Sequence, residues 1–501
     1  MPNRDVSILA ADERRFTLIL DWRLSALICG LIAVVYLSFP TRVYYWDGIV
    51  FSQAIEDASR LNASLVHPNH LIYNFVGYLL YKLLRAFGAD LRALTVLQVL
   101  NSLLSAGCAG MLLVILRETL RSAYASVCLT LLFAFSATWW KFSTDANAYI
   151  PSVLCLLLSF YLVLPDRKPR PALLAVTFFL GMAFHQLAVL MFPVFALGIY
   201  WQDDSLSRRQ RIVNVTYFAI IAFVLIATAY TSLFYLATDS FSVGRLLRWT
   251  ASYSPDADTK FHFWSNLQYS VRGQVRLFFG GRFNLLKGLM NPLIVVLIVC
   301  LAGTVLWVIF NLLRNLTKPV LRLQPSQKRL LLLSLLWTGI YLTFLFFFLP
   351  QNTFYRLFYL PALILLLGIA VPPRSSTFAA FVIAVALANF LFLIYPFSHV
   401  EKYPPLTFAL QLNREWPGGT VVYYALNNSD AALIRYFTPS TQWKQLKGTP
   451  EDGAWLETTA IDQISSTAEG KQWLETHVRK DSLRELSDSA YKIRFIQLAT
   501  H

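Results

Sequence analysis

The stretch Leu71–Phe87, LIYNFVGYLLYKLLRAF, decides how this chain is laid across a bilayer. At about 17 residues it sits at the lower limit for a helix that spans the hydrocarbon core, and it carries Lys82 and Arg85. If it crosses, the basic segments RETLR (Arg117–Arg121), DRKPR (Asp166–Arg170), SRRQR (Ser207–Arg211) and Arg314–Arg329 lie across the membrane from the basic N-terminus (Arg4, Arg14, Arg15, Arg23). If it lies along the interface, all of them share one side. Lys and Arg in short loops mark the cytoplasmic side, so the second arrangement is expected. The segment is then a juxtamembrane helix, its apolar face in lipid and its cations at the surface.

Working outward from that choice, the composition is that of a polytopic membrane protein. Of 501 residues, 56% are hydrophobic, 15% aromatic and only 14% charged. Soluble domains average about 25% charged residues, so a water-facing globule of this size is excluded. The net charge of +15 would suit nucleic acid in a soluble protein, but here the short basic loops account for much of it. Cys29, Cys108, Cys128, Cys155 and Cys300 all lie within apolar runs, without CxxC spacing, and read as small core hydrophobes.

The run Leu24–Pro40 lacks a small-residue cleavage site after it and is read as a retained first helix. Further runs at Leu91–Leu116, Ser122–Thr138, Tyr149–Leu164, Ile212–Leu236, Leu289–Leu313, Leu330–Leu349, Leu357–Val371 and Thr377–Pro396 are long enough to span. Pro171–Tyr200, broken only by His185-Gln186, reads as a hairpin or re-entrant pair whose ends return to one side. The expected fold class is therefore all-α, with about eleven transmembrane helices plus interfacial helices, followed by a small α/β lobe. Residues 1–23 form a cytoplasmic N-terminus, 24–397 the transmembrane domain and 398–501 an extracytoplasmic lobe. The outward loops are 41–90, 139–148 and 237–288, together with PQNTF (Pro350–Phe354). Within the lobe, TVVYY (Thr420–Tyr424), AWLETTAI and YKIRFIQLA read as strands, and SDAALIRYF (Ser429–Phe437) as a helix.

Two outward acids stand where the dielectric is falling. Asp47 follows Tyr44-Tyr45-Trp46, and Asp145 precedes Asn147 and Tyr149 in WWKFSTDANAY. Taken singly, each reads equally as a helix cap. Taken together, they lie on one side at similar depth. His67-Pro68-Asn69-His70 brings two imidazoles to the same layer at i, i+3 spacing, which admits a shared metal but equally suits solvated rings at a helix start. The outward side also holds cations that orientation does not explain. The third loop carries Arg245, Arg248, Lys260, Arg272, Arg276, Arg282 and Lys287, and Arg356 lies in YRLFYLP (Tyr355–Pro361). Contact with lipid headgroups accounts for them blandly; capture of a phosphate by the planar guanidinium fork is the functional reading.

The order of these features resembles the integral-membrane glycosyltransferases of the C superfamily (GT-C). The nearest group is the bacterial branch similar to protein O-mannosyltransferases and lipid A aminoarabinose transferases. The resemblance is best over Tyr44–Leu164, loose in the middle, and returns around Leu349–Pro361. It implies transfer of a hexose or pentose from a polyprenyl phosphate outside the cytoplasm, usually with inversion, to a glycan, lipid or protein acceptor. It also implies a cell-envelope role in a bacterial inner membrane. By resemblance Asp47 matches the first-loop catalytic aspartate, Asp145 the second-loop acid, and His67-Pro68 the start of an HPP-like motif. The chain departs from the family at Gly48-Ile49-Val50, where a second acid is common, at Asn147, where Glu-x-Tyr is usual, and at Asn69, where a second proline is common.

The residue types suit that chemistry. An acceptor hydroxyl attacks sugar C1 while a lipid phosphate, already a good leaving group, departs, so one base is enough. Asp47 and Asp145 are the expected catalytic residues, Asp47 as the base and Asp145 orienting the acceptor or a divalent ion. His67, His70, Lys141, Tyr149, Arg356, Arg276 and Arg282 are the substrate-contacting set. The sequence identifies no cofactor, and a divalent ion held by Asp47 and Asp145 is compatible with the residue types. The alternative is a transporter or flippase of a lipid-linked glycan. Such proteins place ionisable groups near the bilayer midplane, whereas here the spans hold little beyond Gln98, Asn101 and Asn389. A cysteine placed at Lys141 is expected to react with an impermeant thiol reagent added outside the cell; labelling only from the cytoplasm would put Asp145 on the wrong side.

Overall fold

Within lipid, every backbone N–H and C=O must find a partner inside the protein, which is why the apolar runs fold as helices. A computed structural model describes residues 23–165, 167–251, 261–281, 303, 310, 323–370, 376–426, 429–479, 481–487 and 491–500. The chain forms two compact units, Met1–Pro40 with Ala54–Tyr395 and Thr41–Gln53 with Pro396–His501.

In the first unit, α1 (Arg23–Ser38) is registered against α4 (Ala93–Leu120) and α5 (Ala123–Ala134). Leu24 shares an apolar cavity with Ala123 and Tyr124 at the start of α5. The Cys29 thiol donates to the Ala106 carbonyl at 2.9 Å, in the middle of α4, and the Tyr36 hydroxyl to Ala134 O at 2.7 Å, at the end of α5. Thus α1 runs beside α5 in the same direction and antiparallel to α4, so α1 ends where α4 begins. The ambiguous stretch between them is a 14-residue helix, α3 (Tyr73–Ala86). At roughly 21 Å it is too short for a 30 Å hydrocarbon core. It buries Tyr73, Asn74, Gly77, Tyr78 and Tyr81 and leaves Leu79, Leu83 and Phe87 exposed. Gly77 permits its close approach to the core, because a Cβ there would lie 2.7 Å from both Ile55 Cδ1 and Leu97 Cδ2. Glu56 then fixes the start of α4, accepting from the Arg92 side chain at 2.8–3.0 Å and from the Ala93 amide at 2.8 Å.

The basic segments meet at the other end of this unit. Arg167 pairs with Glu118 at 2.6 Å, Gln202 donates to the carbonyls of Leu162 and Leu164, and Arg329 binds the Trp201 carbonyl at 2.7 Å as well as Asp204. The connections after α4, after α7 (Tyr149–Leu162) and after α9 (Phe192–Trp201) are therefore tied together, with Arg329 among them. Leu24 lies at the same end, as the chain-direction argument required.

By length and composition, four helices among the described residues can cross a membrane: α4, α10 (Arg208–Thr238), Pro325–Phe348 and Ser376–Phe397. A fifth is the pair α5 and α6 (Ala137–Ser143), bent by 67°. The expected straight span Ser122–Thr138 is therefore corrected to a broken one, and Trp139–Ser143 are helical. Pro171–Tyr200 is a pair of short helices, α8 (Pro171–Phe184) and α9, parted at His185 and a 3₁₀ turn, Gln186–Met191. Within the long third loop lie α11 (Val243–Ala251) and α12 (Phe263–Phe278). The expected span Leu289–Leu313 lies outside the described residues apart from positions 303 and 310, as do Lys260 and Lys287.

Polar side chains pin α12 at both ends. Asn266 donates to Phe346 O at 2.7 Å, and Thr138 to Arg276 O at 2.9 Å. Asn389 donates to both Phe135 O and Phe278 O at 2.8 Å while its Oδ1 accepts the Gly280 amide at 3.0 Å.

The second unit holds a five-stranded sheet in the order β2-β1-β3-β5-β4. Here β1 is Val421–Tyr424, β2 Gln442–Gln445, β3 Trp455–Glu457, β4 Arg484–Ser487 and β5 Lys492–Gln497. β1 pairs in parallel with β2 and β3, and β5 antiparallel with β3 and β4. The strand expected at AWLETTAI stops at Glu457, whose carboxylate accepts the Thr459 amide at 2.8 Å and starts the helix Thr458–Ile464. The helix Ser429–Phe437 falls where the sequence placed it.

Asn389→Ala removes three buried hydrogen bonds at once and leaves two carbonyls and an amide unpaired. It is expected to destabilise the protein by about 2–4 kcal/mol, read as a lowered Tm in detergent; an unchanged Tm would mean that Asn389 is not the clamp on α12.

Candidate active site

At the end of the first unit opposite the basic segments, α4 presents Gln98, Asn101 and Ser102 at i, i+3 and i+4, on one face of the helix. Their side chains take up the carbonyls of the following turn. Ser102 donates to Ser143 O at 3.0 Å, Gln98 to Thr144 O at 2.9 Å, and Asn101 to both Asp145 O and Asn147 O at 2.8 Å. A buried irregular turn would otherwise carry costly unpaired carbonyls. Asn147 completes the turn: its Oδ1 accepts the amides of Tyr149 at 3.2 Å and Ile150 at 3.3 Å, and its Nδ2 donates to Phe142 O at 2.7 Å. It is Asn147, then, that satisfies the first amides of α7, and the helix-cap reading of Asp145 is corrected.

Asp145 itself is wholly buried, its side chain 0% exposed against 14% for its partner Lys141. One carboxylate oxygen accepts the Ala146 amide at 2.9 Å and the other is held by the Lys141 ammonium. Of the pair, only Lys141 is partly exposed. Burial, followed by the nearby Asp145 charge, pushes the Tyr73 phenol pKa far above its usual value.

His67 and His70 stack at 5.0 Å between ring centroids, and His70 meets His185 edge-on at 4.7 Å. The loop that carries them docks on the break between α8 and α9: the Gln186 amide donates to Asn69 O at 3.0 Å and the Ile72 amide to Ala183 O at 3.2 Å. Tyr230 adds a hydrogen bond to Pro68 O at 3.0 Å. His185 was not foreseen as a site residue. Its signal in the sequence was a lone imidazole within thirty otherwise apolar positions, which reads equally as the polar tip of a hairpin. Its Nδ1 accepts the Leu187 amide at 3.1 Å, which places the proton on Nε2, a buried atom with no hydrogen-bond partner among the described residues. Burial holds His67 down to about 4, and burial with the neighbouring imidazoles holds His70 well below the ordinary histidine value.

Tyr149 links these rings to the YRLFYLP segment, lying 5.0 Å from His185, 5.3 Å from Phe354 and 5.7 Å from Tyr355. Within that segment Arg356 is fully buried. Its guanidinium donates to Tyr359 Oη at 3.0 Å and to Pro350 O at 2.7 Å, while Nε has no hydrogen-bond partner among the described residues. Gly273 of α12 lies flat against it, since a Cβ there would fall 2.2 Å from Arg356 Nε. No ion pair to Arg356 occurs among the described residues, and a buried guanidinium without a carboxylate is costly unless an anion is to join it.

Of the remaining candidates, Arg276 is exposed on α12, off the face that buries Gly273 and Leu277. Arg282 lies outside the described residues. Asp47 belongs to the second unit, half-buried in the first turn of α2 (Trp46–Asp57), so it is neither a cap nor in a loop. Among the described residues no three His, Cys, Asp or Glu side chains form a metal-binding group. Asp145, engaged by Lys141 and closed off from solvent, does not suit a divalent cation.

No known protein-family profile matches the sequence, and no curated protein matches it. The fold, however, has solved relatives. The crystal structure of ArnT from Cupriavidus metallidurans bound to undecaprenyl phosphate superposes with a TM-score of 0.61, at 10% identity, over 95% of this chain and 97% of that one. The chain has the ArnT fold. The apo state of the same ArnT gives a TM-score of 0.41 at 11% identity over the same shares of the two chains. The resemblance to aminoarabinose transferases read from the sequence holds at the level of fold.

The histidine layer makes a prediction. With the folded His67 pKa at about 4 against an ordinary 6.5, the unfolded state binds more protons in between, so stability rises with pH. The contribution is complete above about 6.5 and is lost as pH falls toward about 4. The Tm in detergent should drop from about pH 7 to about pH 5, and His67→Gln should flatten that slope; equal slopes would mean that His67 titrates normally.

Proposed function

We propose that this protein is a membrane glycosyltransferase that moves a hexose or pentose from a polyprenyl-phosphate donor to a glycan, lipid or protein acceptor. The observation that carries the reading is the ArnT fold together with a buried guanidinium that has no ion pair among the described residues, Arg356, in the segment whose Phe354 and Tyr355 meet Tyr149. The solved relative was crystallised with undecaprenyl phosphate, a ligand of the class an unpaired buried arginine would recognise.

In the proposed reaction the acceptor oxygen attacks sugar C1 from the face opposite the phosphate, so the anomeric configuration inverts. The C1–O bond to phosphate breaks as the new one forms. Asp47 takes the hydroxyl proton, and the lipid phosphate leaves with the electron pair. Arg356 and Lys141 stabilise the charge that grows on it. Asp145 acts through Lys141, holding the ammonium where the phosphate passes. His67, His70, Tyr149, Arg276 and Arg282 contribute to the substrate surface. The proposed domains are a transmembrane domain of residues 24–397 with about eleven spans and a lobe of residues 398–501, with Thr41–Gln53 grouping structurally with the lobe. Active site and C-terminus face outward from a bacterial inner membrane, and the gathered basic segments face the cytoplasm.

Purified protein incubated with a panel of polyprenyl-phosphate sugars should release free polyprenyl phosphate. Asp47→Asn should lower turnover by roughly a hundredfold or more at unchanged expression, and substantial residual activity would remove Asp47 from the mechanism. Arg356→Lys should raise the donor KM by about tenfold through loss of the planar fork. Lipid movement across vesicles without turnover of any donor would favour a flippase instead.

A further inference from the structure

The segment that carries Asp47 is structurally part of the C-terminal unit rather than of the helices that flank it in sequence. Its anchoring contacts are specific. The Arg42 amide donates to Phe397 O at 2.6 Å, and the Tyr44 ring stacks on Phe437 with centroids 5.5 Å apart and planes 24° apart. Arg42 Nη1 reaches back to the Tyr44 hydroxyl at 3.3 Å, tying the two anchors together. From there the chain enters α2 at once: the amides of Gly48 and Ile49 bond to Tyr45 O at 3.0 and 3.4 Å, and Ser52 Oγ to Gly48 O at 2.6 Å. Asp47 is thus two residues from a carbonyl that starts the helix and three from a ring clamped to Phe437. Phe437 is the last residue of the helix Ser429–Phe437, whose Tyr436 packs edge-on against it at 5.2 Å, and the buried residues Ala432, Leu433 and Ile434 lock that helix into the lobe.

We infer that Phe437 is a positioning residue for Asp47: the C-terminal lobe sets the place of the first-loop carboxylate through the Tyr44–Phe437 stack. A carboxylate that must meet a hydroxyl proton at hydrogen-bond distance tolerates little displacement, and misplacement by about 1 Å can cost a hundredfold in rate. The activity readout rests on the transferase reading above, whereas the positioning itself can be read without it.

The test uses the full chain in detergent or nanodiscs. Phe437→Ala should accelerate amide hydrogen exchange across residues 42–49 while leaving the strands β1, β3 and β5 protected, and Phe437→Tyr, which keeps the ring, should restore protection. With a turning-over donor, Phe437→Ala should lower kcat by roughly tenfold to a hundredfold with little change in donor KM, and Phe437→Tyr should recover it. Tyr44→Leu, which removes the other ring without touching the lobe, should reproduce both effects. Unchanged exchange at 42–49 in both Phe437→Ala and Tyr44→Leu would overturn the inference. So would accelerated exchange with kcat intact in a protein that Asp47→Asn inactivates. If Asp47→Asn stays active while the exchange changes occur as stated, the base assignment fails and the anchoring stands.

Discussion

A turn of irregular backbone, Ser143 to Asn147, is buried at the end of an otherwise apolar helical bundle, and the rest of the site depends on how its carbonyls are satisfied. Three side chains on one face of α4 supply the donors that water would supply elsewhere. That arrangement fixes the bent pair α5–α6 against α4, sets Lys141 over Asp145 and starts α7 at Tyr149. From Tyr149 the contacts pass to the histidine layer and to the segment of Arg356. The same solution recurs at Asn389, where one amide serves two carbonyls and one backbone N–H and so holds α12 in place. In a chain so poor in polar groups, the side-chain amides of Gln98, Asn101 and Asn389 donate to backbone carbonyls at breaks between helices.

Much of this was legible from the sequence. Charge placement led to the expectation that α3 lies along the interface, and the 14-residue length of α3 is compatible with it. The strands at Val421 and Lys492 and the helix at Ser429 followed from alternation and capping. The roles of Gln98, Asn101 and Asn389 were not legible, because a lone amide in an apolar run says nothing about which carbonyl it will meet. The break at Phe135 was hidden for the same reason. An apolar run contains no signal for a bend unless a glycine or proline marks it, and here the bend is made by Ser136 and paid for by tertiary hydrogen bonds.

The two acids separated on inspection of their surroundings. Sequence position made Asp47 and Asp145 equivalent, each an aspartate just before a helix. Packing makes them different. Asp145 is enclosed and neutralised by Lys141, a structural ion pair with one accessible cationic end. Asp47 keeps partial exposure and belongs to the other unit. Such a difference between two carboxylates of like sequence setting follows from environment alone, since burial and pairing act on one far more than on the other.

The discontinuous make-up of the second unit also has a temporal side. Thr41–Gln53 is synthesised well ahead of Pro396–His501. At roughly 5–20 residues per second, tens of seconds pass between the appearance of the aspartate and that of the lobe that holds it. A nascent chain with its apolar helices already made therefore still lacks most of the unit that carries Asp47. A chain cut short before Pro396 would lack Phe397 and Phe437, the residues that hold Arg42 and Tyr44.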